Sequence, residues 1–222
     1  MVAALNAEEP ILRASLAQTP QPNETGRAAL LPAALSRLDP ELPVRLCEIG
    51  TSAGLNLRAD HRLGLEAGPL GPIRDRVGCD IHPIDPGTAA GRLALSSYVW
   101  VDDVARFERL RRALRVAELV PATVVTADAA DFAAERGLED GTTTVLWHSA
   151  FWLYLHERTR ERIIAAISAL GASATPTRRF AHAKWEWARQ PESSHPEFVL
   201  VLQSWSGSAG DSHGNSVALV SD

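Results

Sequence analysis

Three acids and a turn of small residues are the parts of this chain best suited to chemistry. Glu48 stands near the end of the run Val44–Ile49, Asp80 near the end of Arg76–Ile81, and Asp128 at the end of Thr123–Asp128. Each run reads as a short strand. In an open α/β sheet, ligands bind in the crevice beyond the carboxyl ends of parallel strands, which is where these acids would gather. Carboxylates there accept hydrogen bonds, so they suit a ligand offering hydroxyl and amino donors. A nucleoside does so: its ribose diol matches Asp80 and an adenine amino group matches Asp128. The competing role is helix capping, favourable for an acid beside a helix N-terminus, and it applies most directly to Asp128.

Between Ile49 and Asn56 lies Gly50-Thr51-Ser52-Ala53-Gly54-Leu55. A strand, a glycine turn and a helix start aim backbone N–H groups at one point, where a polar or anionic ligand can sit. Gly50 and Gly54 allow backbone angles or a close approach that a side chain forbids. Ser52 is small enough to leave the crevice open, and Glu48 points an acceptor toward it.

The elements that must position these groups follow from periodicity and breakers. Residues from Glu8 to Gln18 read as a short helix, broken at Thr19-Pro20-Gln21-Pro22. Asn23, suited to an N-cap, opens a second helix that Pro32 kinks. The glycine turn leads into a helix from Ser52 to about Arg62, and a Gly- and Pro-rich loop spans Gly64 to Pro72. Asp103 to Glu118 is amphipathic, with Val104, Phe107, Leu110, Leu114 and Ala117 at helical spacing. Gly91–Trp100 carries no clear pattern. Ala129 to Arg136 is a short helix, Thr142–Trp147 a fourth strand, and Thr159 to Leu170 a helix ended by Gly171. Strands alternating with helices predict a mostly parallel, doubly wound, Rossmann-like sheet.

The end of the chain changes character. Arg179–Trp187, Phe198–Ser204 and Asn215–Val220 read as strands, with Trp185 and Trp187 on one face and Glu186 on the other. About ten residues separate the first two, short of the roughly dozen a parallel crossover needs, so an antiparallel hairpin is expected at the sheet edge. The organisation is thus an N-terminal helical segment over residues 1–40, packed on the sheet, serving as a lid or the remnant of a longer helical region, and an α/β domain over 41–222. The tryptophan-bearing edge offers a surface for a homodimer.

Composition narrows the class. The chain has 222 residues, 45% of them hydrophobic and 22% charged, with a net charge of −5. That balance argues against clamping nucleic acid through phosphates; the basic run from Arg106 to Arg115 reads as a solvated helix face. No apolar run reaches the ~18–20 residues that span a bilayer. No basic-then-apolar leader is evident, which points to the cytoplasm. Cys47 and Cys79 make no metal motif and no disulfide framework; parallel neighbouring strands would set the two thiols side by side.

Glu48-x-Gly50-x-Ser52-x-Gly54, with Asp80 after the second strand and Asp128-Ala129 after the third, resembles the class I S-adenosylmethionine-dependent methyltransferase fold. More narrowly, Asn23-Glu24-x-x-Arg27, Glu48-Ile49-Gly50-x-Ser52-Ala53-Gly54-Leu55-Asn56-Leu57, Gly78-x-Asp80 and Trp147-His148-Ser149 resemble a domain family of unknown function assigned that fold. Its members have a longer helical N-terminal region and a longer loop between the first two strands. The resemblance implies S-adenosylmethionine as cofactor, with Glu48, Gly50, Ser52 and Gly54 around its methionine part. It implies Asp80 at the ribose, and Asp128 with Ala129 at the adenine. Asn23 and Arg27 would close over the site, Arg27 pairing with a carboxylate of cofactor or substrate; a cap and a surface residue are the plainer roles.

His148 falls just after the fourth strand, where such folds place acceptor-facing groups. Histidine is the side chain type that exchanges protons near neutrality, which makes His148 the candidate base. Ser149, Trp152 and Tyr154 would line the acceptor pocket. The Asn/Asp-Pro-Pro-aromatic signature of base methylation is absent, which favours a small-molecule acceptor over DNA. His213-Gly214 is a further polar pair in the last loop. Two other enzymes compete: a serine hydrolase with Ser52, Asp128 and His148 as triad, and an NAD enzyme, disfavoured because Ser52 and Leu55 stand where its fingerprint wants glycine. A protein of the same fold that binds the nucleoside without turnover is the third alternative.

Overall fold

The computed structural model describes residues 9, 20–38, 41–62, 72–189, 195–207 and 215–220. All of the expected helix over Glu8–Gln18 except Glu9, nearly all of the Gly64–Pro72 loop and the His213-Gly214 pair lie outside the described residues.

Seven strands form one sheet. They are β1 (Val44–Ile49), β2 (Ile73–Asp80), β3 (Thr123–Thr126), β4 (Thr142–Ser149), β5 (Arg178–Arg189), β6 (Pro196–Trp205) and β7 (Asn215–Val220). Their order is β3-β2-β1-β4-β5-β6-β7. The first five are mutually parallel, and β6 runs antiparallel to both β5 and β7. The mostly parallel α/β sheet with an antiparallel C-terminal edge is therefore as expected. The order reverses at β1: β2 and β3 lie on one side of it and β4 on the other, which sets the ligand crevice beyond its carboxyl end.

Alternation along the strands sorts the core onto two faces. Cys47, Ile49, Cys79, Leu146 and Phe180 meet helices α5 (Ala129–Ala134) and α6 (Glu157–Ala172) on one face. Val44, Leu46, Val145, Trp147, Ala181 and Ala183 meet α1 (Leu30–Leu35) and the Asn56–Arg58 turn with α2 (Ala59–Arg62) on the other. Leu31, Ala34 and Leu35 are buried in that second cluster, so this part of the N-terminal segment packs into the domain's core. A third cluster joins Ala53 and Leu55 to α3 (Ala89–Ser97) and α4 (Val104–Leu119).

Several local expectations change. Gly91–Trp100, patternless in sequence, is mostly α3, started by the Thr88 hydroxyl accepting from the Gly91 N–H. The helix expected from Ser52 begins only at Asn56, because Thr51–Gly54 forms the turn itself. Glu24, not Asn23, caps the Thr25–Ala29 turn. Gly171 does not end α6; it lies within it, because a Cβ there would meet the Trp205 indole at 2.7 Å. Cys47 pairs in register with Val77 while Cys79 pairs with Ile49, so the thiols are diagonal and not side by side. Burial pushes the Cys47 thiol up to about 11 and Cys79 up to about 12, which leaves both protonated at neutral pH. No helix among the described residues is long and apolar enough to cross a membrane.

Candidate functional site

A cavity of about 400 Å³ opens beyond the carboxyl ends of β1, β2 and β4. That volume falls within the range of small-molecule sites. Glu48, Gly50, Ser52, Asp80, Asp128 and Ala129 all line it, as do Asn23, Arg27, Ser149 and Tyr154. Three of the sequence candidates do not: Gly54, His148 and Trp152.

The acids are held in distinct ways. Asp80 Oδ2 accepts the Ser52 N–H at 2.9 Å, and Oδ1 accepts the His82 N–H at 2.9 Å and Gln21 Nε2 at 3.3 Å. Glu48 is buried at the cavity floor and accepts the Thr51 hydroxyl at 2.5 Å. Asp128 does cap α5, accepting the Ala130 and Asp131 N–H groups with Oδ1, and it still faces the cavity. The helix-capping role and the cavity role coexist in this residue.

Gly50 and Gly54 both have left-handed backbones, φ +67° and +66°. At Gly50 an added Cβ would come within 2.2 Å of the Phe151 ring, so its missing side chain makes room for one wall of the cavity. Gly54 serves packing instead. A Cβ there would meet Val124 on β3 at 2.8 Å, and its carbonyl accepts Nη1 of the buried Arg58 at 2.8 Å. Arg58 Nε reaches the Val120 carbonyl at 2.6 Å, tying the turn to the end of α4.

The described residues include three non-glycine positions of positive φ: Asn23 at +36°, Ser52 at +52° and Ala150 at +45°. All three line this cavity. Each such conformation costs on the order of 1–3 kcal/mol and persists where the surroundings over-determine it, typically at functional sites. Asn23 shows how. Its Nδ2 donates to the Thr51 carbonyl at 3.2 Å and its Oδ1 accepts the Leu55 N–H at 3.2 Å, clamping the N-terminal segment onto the glycine turn.

His148 is fully buried on the α5–α6 face of β4. Its Nδ1 lies 2.7 Å from Glu186 Oε1 and its Nε2 lies 3.1 Å from His182 Nε2, with Trp152 stacked at 5.2 Å. The same Glu186 oxygen accepts the Phe151 and Trp152 N–H groups at 2.9 and 3.2 Å. Both ring nitrogens are occupied, so His148 positions the cavity-lining loop after β4 instead of facing an acceptor. Ser52 Oγ bonds Gln21 Oε1 at 3.1 Å and Asp128 caps its helix, so the triad of Ser52, Asp128 and His148 is not assembled.

Sequence reasoning missed Gln21, Phe151, His156 and the positioning residues Glu186 and His182. Gln21 follows Pro20 in a stretch that reads only as a break. Glu186 was visible as a lone acid opposite two tryptophans on a strand, a pattern that marks a buried carboxylate.

The fold and cavity define the class: an α/β protein with a cavity at the topological switch of its sheet. The chain belongs to a bacterial family. The family described as an uncharacterized protein conserved in bacteria (DUF2332) matches residues 1–73 and 62–220. None of the curated proteins compared with it matches significantly.

Proposed function

We propose that this protein is an S-adenosylmethionine-dependent methyltransferase acting on a small-molecule acceptor. The observation that carries the reading is the convergence of Glu48, Asp80 and Asp128, from three adjacent parallel strands, on one cavity. The donor set fits the cofactor's nucleoside. Each Asp80 oxygen keeps acceptor capacity for a ribose hydroxyl, and Gln21 at 3.3 Å is a long contact that a hydroxyl can replace. Asp128, 42% exposed at its side chain, uses Oδ1 for its helix cap and for Arg162 at 3.6 Å, which leaves Oδ2 for an amino donor.

When bound, the cofactor supplies an electrophilic methyl group. The chain's own residues orient and enclose. Gln21 and Asn23 line the cavity beside the glycine turn, and the Phe151 ring walls it on the β4 side. Tyr154 and His156 line that side, and the His156 imidazole is the group placed to receive an acceptor proton.

A second reading, nucleoside binding without turnover, is favoured by one observation: the candidate base His148 is sequestered with both nitrogens engaged. Incubation with methyl-labelled S-adenosylmethionine and a bacterial small-molecule extract separates the two. Label transferred to a metabolite supports the enzyme. Binding with no transfer supports the second reading.

A further inference from the structure

Arg27 lies beside the carboxyl end of β4 and the later part of β5. Its Nη1 donates to the Ser149 carbonyl at 3.4 Å, and its guanidinium sits 5.9 Å from the centre of the Trp185 ring. Among the described residues it makes no ion pair. The nearest candidates are already committed. Glu24 is bridged by Arg106 and by Arg109 at 3.5 Å, and caps the Gly26 N–H at 2.8 Å. Glu186 is committed to His148 and two backbone N–H groups.

A guanidinium stays protonated in proteins, and taking it partly out of water without an anion is unfavourable. Burial works against the charge of Arg27 and Arg106 adds to that, while the carboxylates of Glu24 and Glu186 support it. The cavity is therefore divided across the sheet. Glu48, Asp80 and Asp128 line its β1–β3 half, and its β4–β5 half presents the Arg27 cation with donors to spare, beside the exposed Tyr154 and a Glu24 carboxylate already held by Arg106 and Arg109.

We infer that the β4–β5 half is an anion subsite, in which the Arg27 guanidinium holds the carboxylate of a small organic acid that serves as the methyl acceptor. The acceptor role rests on the methyltransferase reading; the anion subsite does not. A monoanionic carboxylate fits better than a phosphate dianion. A single planar fork matches a carboxylate bidentately, and the three acids nearby disfavour a second negative charge.

The test titrates the full chain with benzoate, its neutral isostere benzamide, phenyl phosphate, S-adenosylhomocysteine and methylthioadenosine, which lacks the amino-acid end. Benzoate is expected to bind roughly tenfold or more tighter than benzamide and tighter than phenyl phosphate, as a charge-assisted pair predicts. Arg27→Met should erase that preference, while Arg27→Lys keeps part of it. S-adenosylhomocysteine should bind Arg27→Met as it binds the natural chain. Equal binding of benzoate and benzamide by the natural chain overturns the subsite, and that comparison needs no variant to fold. Tighter phenyl phosphate overturns the carboxylate assignment. If Arg27→Met weakens S-adenosylhomocysteine but not methylthioadenosine, Arg27 serves the cofactor and the acceptor assignment falls. If neither nucleoside binds while the benzoate preference depends on Arg27, the subsite stands and the methyltransferase reading fails.

Discussion

The Asp80 carboxylate accepts the backbone N–H of Ser52 at 2.9 Å, joining the end of β2 to the glycine turn after β1. This bond brings the acid expected at a ribose onto the turn expected beside it. It also links a strained residue, Ser52 at φ +52°, to the group that holds it there.

Asp80→Ala removes that anchor and the acceptor for ribose hydroxyls together. The substitution is expected to weaken S-adenosylhomocysteine binding by about 1–3 kcal/mol, the range for losing hydrogen bonds to a charged group. Calorimetry measures this, with a thermal melt alongside to separate lost contacts from lost fold. Unchanged affinity would remove Asp80 from the ligand.

Gly50→Ala tests the wall between turn and loop. The new methyl would lie 2.2 Å from the Phe151 ring, on a backbone at φ +67°. Steric overlap and backbone strain each cost on the order of 1–3 kcal/mol. Adding Phe151→Ala should recover the steric share and leave the backbone share, as a double-mutant cycle in urea melts will read. Full additivity of the two substitutions contradicts the contact.

Glu186→Ala strips the partner from His148 Nδ1 and from the Phe151 and Trp152 N–H groups. A loss of about 2–4 kcal/mol in unfolding free energy is expected from buried groups left unpaired. Ligand affinity should fall with it, because the freed loop carries Phe151 and Tyr154 into the cavity wall. A variant as stable as the natural protein would show that the carboxylate does not hold the loop.

Burial holds the His182 imidazole well below its usual 6.5, with His148 and Lys184 lowering it further and a hydrogen bond to Gln203 opposing. The unfolded chain therefore binds this proton first. Stability from His182 is full above pH 6.5 and declines as pH falls below it, by up to ~1.4 kcal/mol per pH unit for one proton. Urea melts at pH 7.5, 6.5 and 5.5 should show that decline, and His182→Gln should flatten it. An equal decline in both proteins contradicts a neutral buried His182.

The legible part of the site is the part written locally. Glu48, Gly50 and Ser52 lie within five consecutive positions of one strand and turn, and Asp80 and Asp128 end or follow short β runs that flank the same turn. Their convergence follows from parallel strands alone. The illegible part depends on partners distant in sequence. Nothing near His148 announces Glu186, 38 positions away, or His182, 34 away. Their meeting needs the β4–β5 register, in which Leu146 opposes His182 and His148 opposes Lys184. Gly171 is a similar case: a glycine near a helix end signals a stop, yet this one makes room for Trp205 at the end of β6, 34 positions further along the chain. Helix α3 was unreadable because Gly91 and its small neighbours blur the apolar stripe, while the close approach of the Asp85 carbonyl requires that glycine.

Titration of the natural chain with S-adenosylhomocysteine tests most directly whether the acid-rimmed hollow is a nucleoside site. Saturable one-to-one binding, competed by methylthioadenosine and weakened by Asp80→Ala, is the predicted result. No binding of either compound to a folded sample would contradict the account.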